Sequence, residues 1–290
     1  MRVLVTADLH YDISRSRESA RDVARQACAA SGDALVLVGD TAGADLGPLR
    51  ECLGLFERFA GRRLLVPGNH CLWCRQGEDS LHRYETVLPA VAEEMGFSVL
   101  DHQPLAAGPV GLVGSVGWYD YSFADESLGI HEDFYRAKVA PGAAAYLQEH
   151  RDLVDRHRDR LTAAQLAIGS RWMDGVHVRL PVRDEDFCRT LAEKLSRQLA
   201  ELAPRVERIA AFVHHLPFAD LVPAGRPPRF AFAAAYLGAA QLGQVLLACP
   251  KVTHVVCGHS HWGAEQTIGR VNVVNVGSTY VAKRLLTMDI

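Results

Sequence analysis

Residues 3–10 read VLVTADLH: a short apolar run, then an Asp and a His two positions apart. Residues 34–40, ALVLVGD, and 63–70, RLLVPGNH, repeat that plan, each stopping at a side chain able to hold a metal. Between them lie polar, helix-favouring stretches over about 17–31 and 49–60. Strand, helix, strand, helix, strand is the order of parallel βαβ units. Near-continuous apolar strands belong in a sheet covered on both faces. In such sheets ligands gather beyond the carboxyl ends of the strands, which is where all three runs place Asp, Asn or His.

Working outward, the pattern predicts further strands at Val110–Val113, Ile209–Val213, His254–Cys257 and Val271–Asn275. It predicts helices over Leu81–Met95, Asp184–Leu202 and Ala239–Leu247. From Trp118 to Arg183 the character changes to Arg, Asp, Glu, His and aromatic residues, with helical spacing in places such as Ala143–Arg160. We read 1–290 as a single α/β domain and 119–183 as a mainly helical insertion or lid, since long excursions in compact domains are usually functional.

Composition narrows the function classes. Hydrophobic residues make up 49% of the 290-residue chain, enough for a large buried core. The net charge of −3 implies no extended basic surface for nucleic acid. No apolar run is long enough to span a bilayer, and the N-terminal residues lack the layout of a secretory signal. A cytoplasmic protein is the expectation. Seven cysteines form no regular framework, and Cys71 and Cys74 are a lone CxxC, so reduced structural thiols are expected.

Five motifs then stand in order, each after a predicted strand: Asp8-Leu9-His10, Gly39-Asp40, Gly68-Asn69-His70, His214-His215 and Gly258-His259-Ser260-His261. Side chains two apart on a strand point the same way, so Asp8 with His10, and His259 with His261, can share a crevice. Imidazole and carboxylate suit borderline divalent metals. A phosphate ester repels nucleophiles with its own negative charge. Two ions about 3.5–4 Å apart offset that charge, stabilise the attacking and leaving oxygens, and acidify a water.

The ordered set DLH, GD, GNH, HH and GHSH resembles the calcineurin-like metallophosphoesterases, across residues 8–261. The resemblance implies a four-layer αββα sandwich of two mixed β-sheets flanked by helices. It implies a first metal on Asp8, His10 and His261, a second on Asn69, His214 and His259, and Asp40 bridging both. The ions would be Mn, Fe, Zn or Co. A metal-bound hydroxide would attack phosphorus while His70, held off the metals, assists the leaving group. Family members often carry a polar residue just after GNH or a few positions beyond the Gly-Asp motif. Here Cys71 and Thr41-Ala42-Gly43 stand there, so the groups supporting the ligands are expected to differ.

His214 and His215 are adjacent, and strand geometry turns only one inward. We assign His214 to the metals and His215 to the supporting layer or the substrate. Arg171 is a further candidate substrate contact, because its planar fork matches a phosphate. It lies in Ser170-Arg171-Trp172-Met173-Asp174-Gly175, a stretch that mixes charge and aromatic character as a substrate loop does. Trp73, Trp118 and Trp262 either wall a pocket or pack the core. The expected activity is hydrolysis of a small phosphomonoester or phosphodiester. The rivals are a nuclease acting on single strands or ends, and a non-catalytic metal-binding scaffold of the same fold.

Overall fold

The three opening apolar runs form β1 (Arg2–Thr6), β2 (Ala34–Val38) and β3 (Arg62–Val66), joined through the helices Ser14–Ala29 and Leu46–Gly54, in a computed structural model that describes all 290 residues. They pair in parallel, β1 with β2 and β2 with β3. Two short strands complete this sheet: β4 (Ser98–Val99), parallel to β3, and β11 (Leu286–Asp289), antiparallel to β1. The order across it is β11-β1-β2-β3-β4.

The second sheet runs β5-β6-β7-β8-β10-β9. Its strands are β5 (Leu105–Ala107), β6 (Val110–Ser115), β7 (Arg208–Val213), β8 (Val252–Cys257), β9 (Ala264–Ile268) and β10 (Val271–Asn275). Strands β6, β7, β8 and β10 are parallel, and β5 and β9 close the edges antiparallel.

Alternation along the strands builds the layers. Val3, Val5, Val36 and Val66 share one apolar cluster with Leu112, Phe212 and Val256 of the other sheet, so the two sheets pack face to face. The intervening residues, such as Leu35, Leu37, Ala211 and Val213, belong to a larger cluster that takes in Ala20, Val23, Phe187 and Leu191 of the covering helices. The result is the four-layer αββα sandwich with mixed sheets.

Local chemistry explains the helices. Asp45 caps Leu46–Gly54 by accepting from the Gly47 backbone N–H. The helix Asp184–Leu202 opens with Asp184, Glu185 and Asp186, which suit the positive end of its dipole. The stretch expected as one helix over Leu81–Met95 is helical through Ser80–Glu94, but loosens into a wider π-type turn at Arg83–Val87. Between β6 and Asp184 the chain runs as a series of short helices, including Glu132–Arg136, Pro141–Tyr146, Arg151–His157 and Asp174–His177. No helix is long and apolar enough to cross a membrane.

Candidate metal centre

The loops after β1, β2, β3, β7 and β8 bring seven side chains together at the carboxyl edge of both sheets. His261 Nε2 lies 3.3 Å from His10 Nε2 and 3.7 Å from Asp8 Oδ1. His10 Nε2 is 3.7 Å from Asp40 Oδ2. On the other side, His214 Nε2 is 3.4 Å from Asp40 Oδ1, 3.3 Å from Asn69 Oδ1 and 3.2 Å from His259 Nδ1. Asp40 therefore touches both halves of the cluster.

The backbone is bent to achieve this. Seven non-glycine residues adopt a left-handed φ, and five of them are Asp8, His10, Asp40, His259 and His261. Such conformations cost roughly 1–2 kcal/mol each and persist where the surrounding structure enforces them, commonly at functional sites. Glycine allows the close approach: a Cβ at Gly39 would lie 1.9 Å from His214 Nδ1, and one at Gly68 would lie 2.2 Å from Asp40 Oδ1. The Gly in GD and the Gly in GNH are thus fixed by the side chains they admit.

Hydrogen bonds decide which atoms face inward. His214 Nδ1 lies 3.1 Å from the Val38 carbonyl and His259 Nε2 lies 3.1 Å from the Tyr236 carbonyl. A carbonyl only accepts, so both ring nitrogens are donors, and His214 Nε2 and His259 Nδ1 are left to ligate. Asn69 donates through Nδ2 to Asp174 at 2.9 Å, which turns its Oδ1 inward. Two imidazole nitrogens, an amide oxygen and a carboxylate oxygen thus crowd one point with their lone pairs converging. Only a proton or a metal cation placed among them relieves the repulsion.

The field favours a cation. Burial would push His214 down, but the Asp40 carboxylate beside it takes its pKa up to about 9. Burial would likewise raise Asp40, yet the neighbouring His214 and His70 hold it well below the usual carboxylate range. Burial keeps His10, His259 and His261 below the ordinary histidine value, so those rings favour the neutral form that a metal needs. The buried His10 Nδ1 has no partner. On donor type, spacing and charge, the residues fit a pair of metal ions.

His70 sits at the rim. Its backbone N–H donates to Asp40 Oδ1 at 2.9 Å, and its ring stacks on Trp73 with centroids 3.7 Å apart. Its Nε2 is 4.0 Å from Asp40 Oδ2, beyond hydrogen-bond reach. Two other residues singled out in the sequence do not line the cavity beside the cluster. His215 is fully buried behind His259, with Nδ1 bonded to the Val116 carbonyl at 2.9 Å. Burial takes its pKa down to about 3. Arg171 pairs with Glu149 at 3.5 Å, and its backbone bridges to Val139.

Of the three tryptophans, Trp73 packs against His70, Trp262 lines the cavity, and Trp118 is buried core. Three further residues bear on the site. Lys283 donates to the Asp8 and Thr279 carbonyls, and burial lowers it to about 8. Tyr280 packs on His10 and His261. Asp174 holds Asn69. None stands in a motif, and only the mixed composition of residues 170–175 hinted at the last.

Comparison with known proteins bears on the family and the fold. A family model described as calcineurin-like phosphoesterase matches residues 1–263. Among solved structures, the chain is similar to phosphopantetheinyl hydrolase from Mycobacterium tuberculosis, with a TM-score of 0.67 and 19% identity, covering 96% of this chain and 89% of that one. It is also similar to a dimetal phosphatase from Danio rerio, with a TM-score of 0.56 and 14% identity, covering 99% and 91%. At these identities the likeness speaks for the fold. No curated protein matches the sequence.

Proposed function

Because the chain belongs to the calcineurin-like phosphoesterase family, we propose that it hydrolyses a small organic phosphate ester using two metal ions. Asp8, His10 and His261 would hold one ion, Asn69, His214 and His259 the other, with Asp40 shared between them. When bound, such a pair supplies Lewis-acid charge to the phosphoryl oxygens and lowers the pKa of a water. The observation that carries this reading is the convergence of His259 Nδ1, Asn69 Oδ1 and Asp40 Oδ1 within 3.2–3.4 Å of His214 Nε2.

The chain's own residues do the rest. His70 has Nε2 free of any hydrogen bond and stands beside Asp40, so it can hold a proton and give it to the departing oxygen. Trp73 stacks on that ring and fixes its plane. The hydrogen bonds of His214 and His259 to carbonyls hold their rings in place before substrate arrives.

A cavity of about 450 Å³ opens beside His259 and His261. Trp172, Phe230, Trp262 and Tyr280 wall it, and Arg226 stacks on Trp262 at 4.5 Å. Trp262 and Phe230 are 55% and 43% exposed, an unusual display of aromatic surface next to a polar centre. This favours an ester whose organic part is apolar or planar, with the arginine meeting a further negative charge. A polynucleotide would instead call for a long basic track. Trp172 brings the 119–183 excursion into this wall, which supports its reading as part of a lid.

The test uses metal-stripped protein with Mn, Zn, Fe, Co or Mg restored singly, and two esters, p-nitrophenyl phosphate and bis-p-nitrophenyl phosphate. Metal-dependent release of nitrophenol is the expected outcome, and the preferred ester sorts monoesterase from diesterase. Failure to bind any of these metals would overturn the two-metal reading.

A further inference from the structure

Asp174 is 1% exposed, yet no lysine, arginine or histidine pairs with it. Four neutral donors surround its carboxylate. Oδ1 accepts from Asn69 Nδ2 at 2.9 Å and Trp73 Nε1 at 2.7 Å. Oδ2 accepts from Tyr119 Oη at 3.1 Å and Trp172 Nε1 at 2.8 Å. Burying an ion in such company is costly unless its charge is met nearby. The nearest concentration of cation-attracting groups is the cluster that Asn69 enters.

The chemistry of an amide makes the contact directional. Asn69 carries one accepting oxygen and one donating nitrogen, nearly identical in shape. A carboxylate accepts only, so Asp174 can face the nitrogen of Asn69 and never its oxygen. Rotating the amide by half a turn would aim N–H groups at His214 and remove one candidate ligand atom. The position after GNH, where a carboxylate would be local, is Cys71, a buried thiol that burial pushes up to about 11. The charge comes instead from 105 residues downstream.

We propose that Asp174 is a positioning residue of the metal centre: from the helical excursion it selects the one orientation of the Asn69 amide that presents oxygen to the ion. It touches no reacting atom. Through its bonds to Trp73 and Trp172 it also ties that choice to the ring under His70 and to the cavity wall. This rests on the two-metal reading above, and it makes the affinity of one half of the centre depend on the carboxylate of Asp174 itself, whatever the packing around it.

The experiment titrates metal-stripped protein with Zn(II), following heat and counting ions retained per chain, alongside a thermal melt. In Asp174→Asn the affinity for one of the two ions falls tenfold or more while the other is kept, in line with the loss of a supporting contact. Asn69→Asp alone also weakens binding, because two carboxylates then face each other. Combining Asn69→Asp with Asp174→Asn restores affinity, since a carboxylate at 69 offers oxygen in either orientation and the new amide at 174 can donate to it. Trp172→Phe removes a donor from Oδ2 and leaves the Asn69 contact, so it lowers the melting temperature and keeps both ions. That variant carries the test if Asp174→Asn does not fold: loss of an ion from it would make the role one of packing and overturn the proposal. Wild-type ion affinity in Asp174→Asn, or losses that simply add in the double variant, would also overturn it. A wild-type chain that takes up fewer than two ions would instead overturn the two-metal reading.

Discussion

Asp174 and Asp184 stand close in sequence, both nearly buried, and each collects aromatic donors, but they balance their charges differently. The neighbours Trp118 and Tyr119 stack with centroids 4.8 Å apart, then part company: Trp118 Nε1 donates to Asp184 at 2.8 Å and Tyr119 to Asp174. Asp184 adds Tyr121 at 2.6 Å and the ammonium of Lys138. Asp174 has no cation at all. Asp184 is therefore a self-contained clamp, pinning the excursion to the start of the long helix. It also holds Tyr121 and Lys138, the two left-handed non-glycine residues outside the metal cluster. Asp174 leaves its charge to be met by whatever occupies the cluster. Two buried carboxylates, one with and one without a counter-charge, thus separate a residue that holds the fold from one proposed to serve the site.

That contrast can be broken most sharply at the residue both halves of the cluster share. Asp40→Ala removes the shared carboxylate, and kcat/KM should fall by at least about a thousandfold, with ion uptake lost in a titration. An active, metal-loaded variant would end the assignment. Next in size, Asp184→Ala leaves the Lys138 ammonium largely buried without a partner. Urea melts should show a loss of about 3 kcal/mol, while the number of ions bound stays at the wild-type value. If ions were lost along with stability, the two carboxylates would not be separable in function. The smallest effect is expected at the outer wall: Trp262→Ala should raise KM for an aryl ester by up to about tenfold with kcat and ion uptake unchanged. A fall in kcat alone would move Trp262 from binding to chemistry.

Much of this was legible from the chain. The central strands announce themselves as apolar runs because both of their faces are covered, and the candidate ligands announce themselves because each motif is local. The edge strands β4, β5, β9 and β11 were not legible. Two are only two or three residues long, and β9 and β11 carry exposed polar residues such as Glu265 and Asp289. What makes them strands is pairing with β3, β6, β10 and β1, which no local pattern records. Asp174 was hidden for a related reason: its partners Asn69, Trp73 and Tyr119 lie far away in sequence. The composition around it did suggest a functional loop, but pointed to Arg171, whose guanidinium is taken by Glu149.

The left-handed backbone at Asp8, His10, Asp40, His259 and His261 sets selection for robustness against selection for activity. At each position glycine would relax the backbone torsion, and at His10, His259 and His261 asparagine would ease it too. A lineage or a library screened only for survival to heating would therefore drift toward glycine and asparagine at these five places. It would keep the sandwich and shed the chemistry, one tolerated exchange at a time. Inert descendants of such a fold should be sturdier than their working ancestor, and their sequences should carry that exchange as a signature.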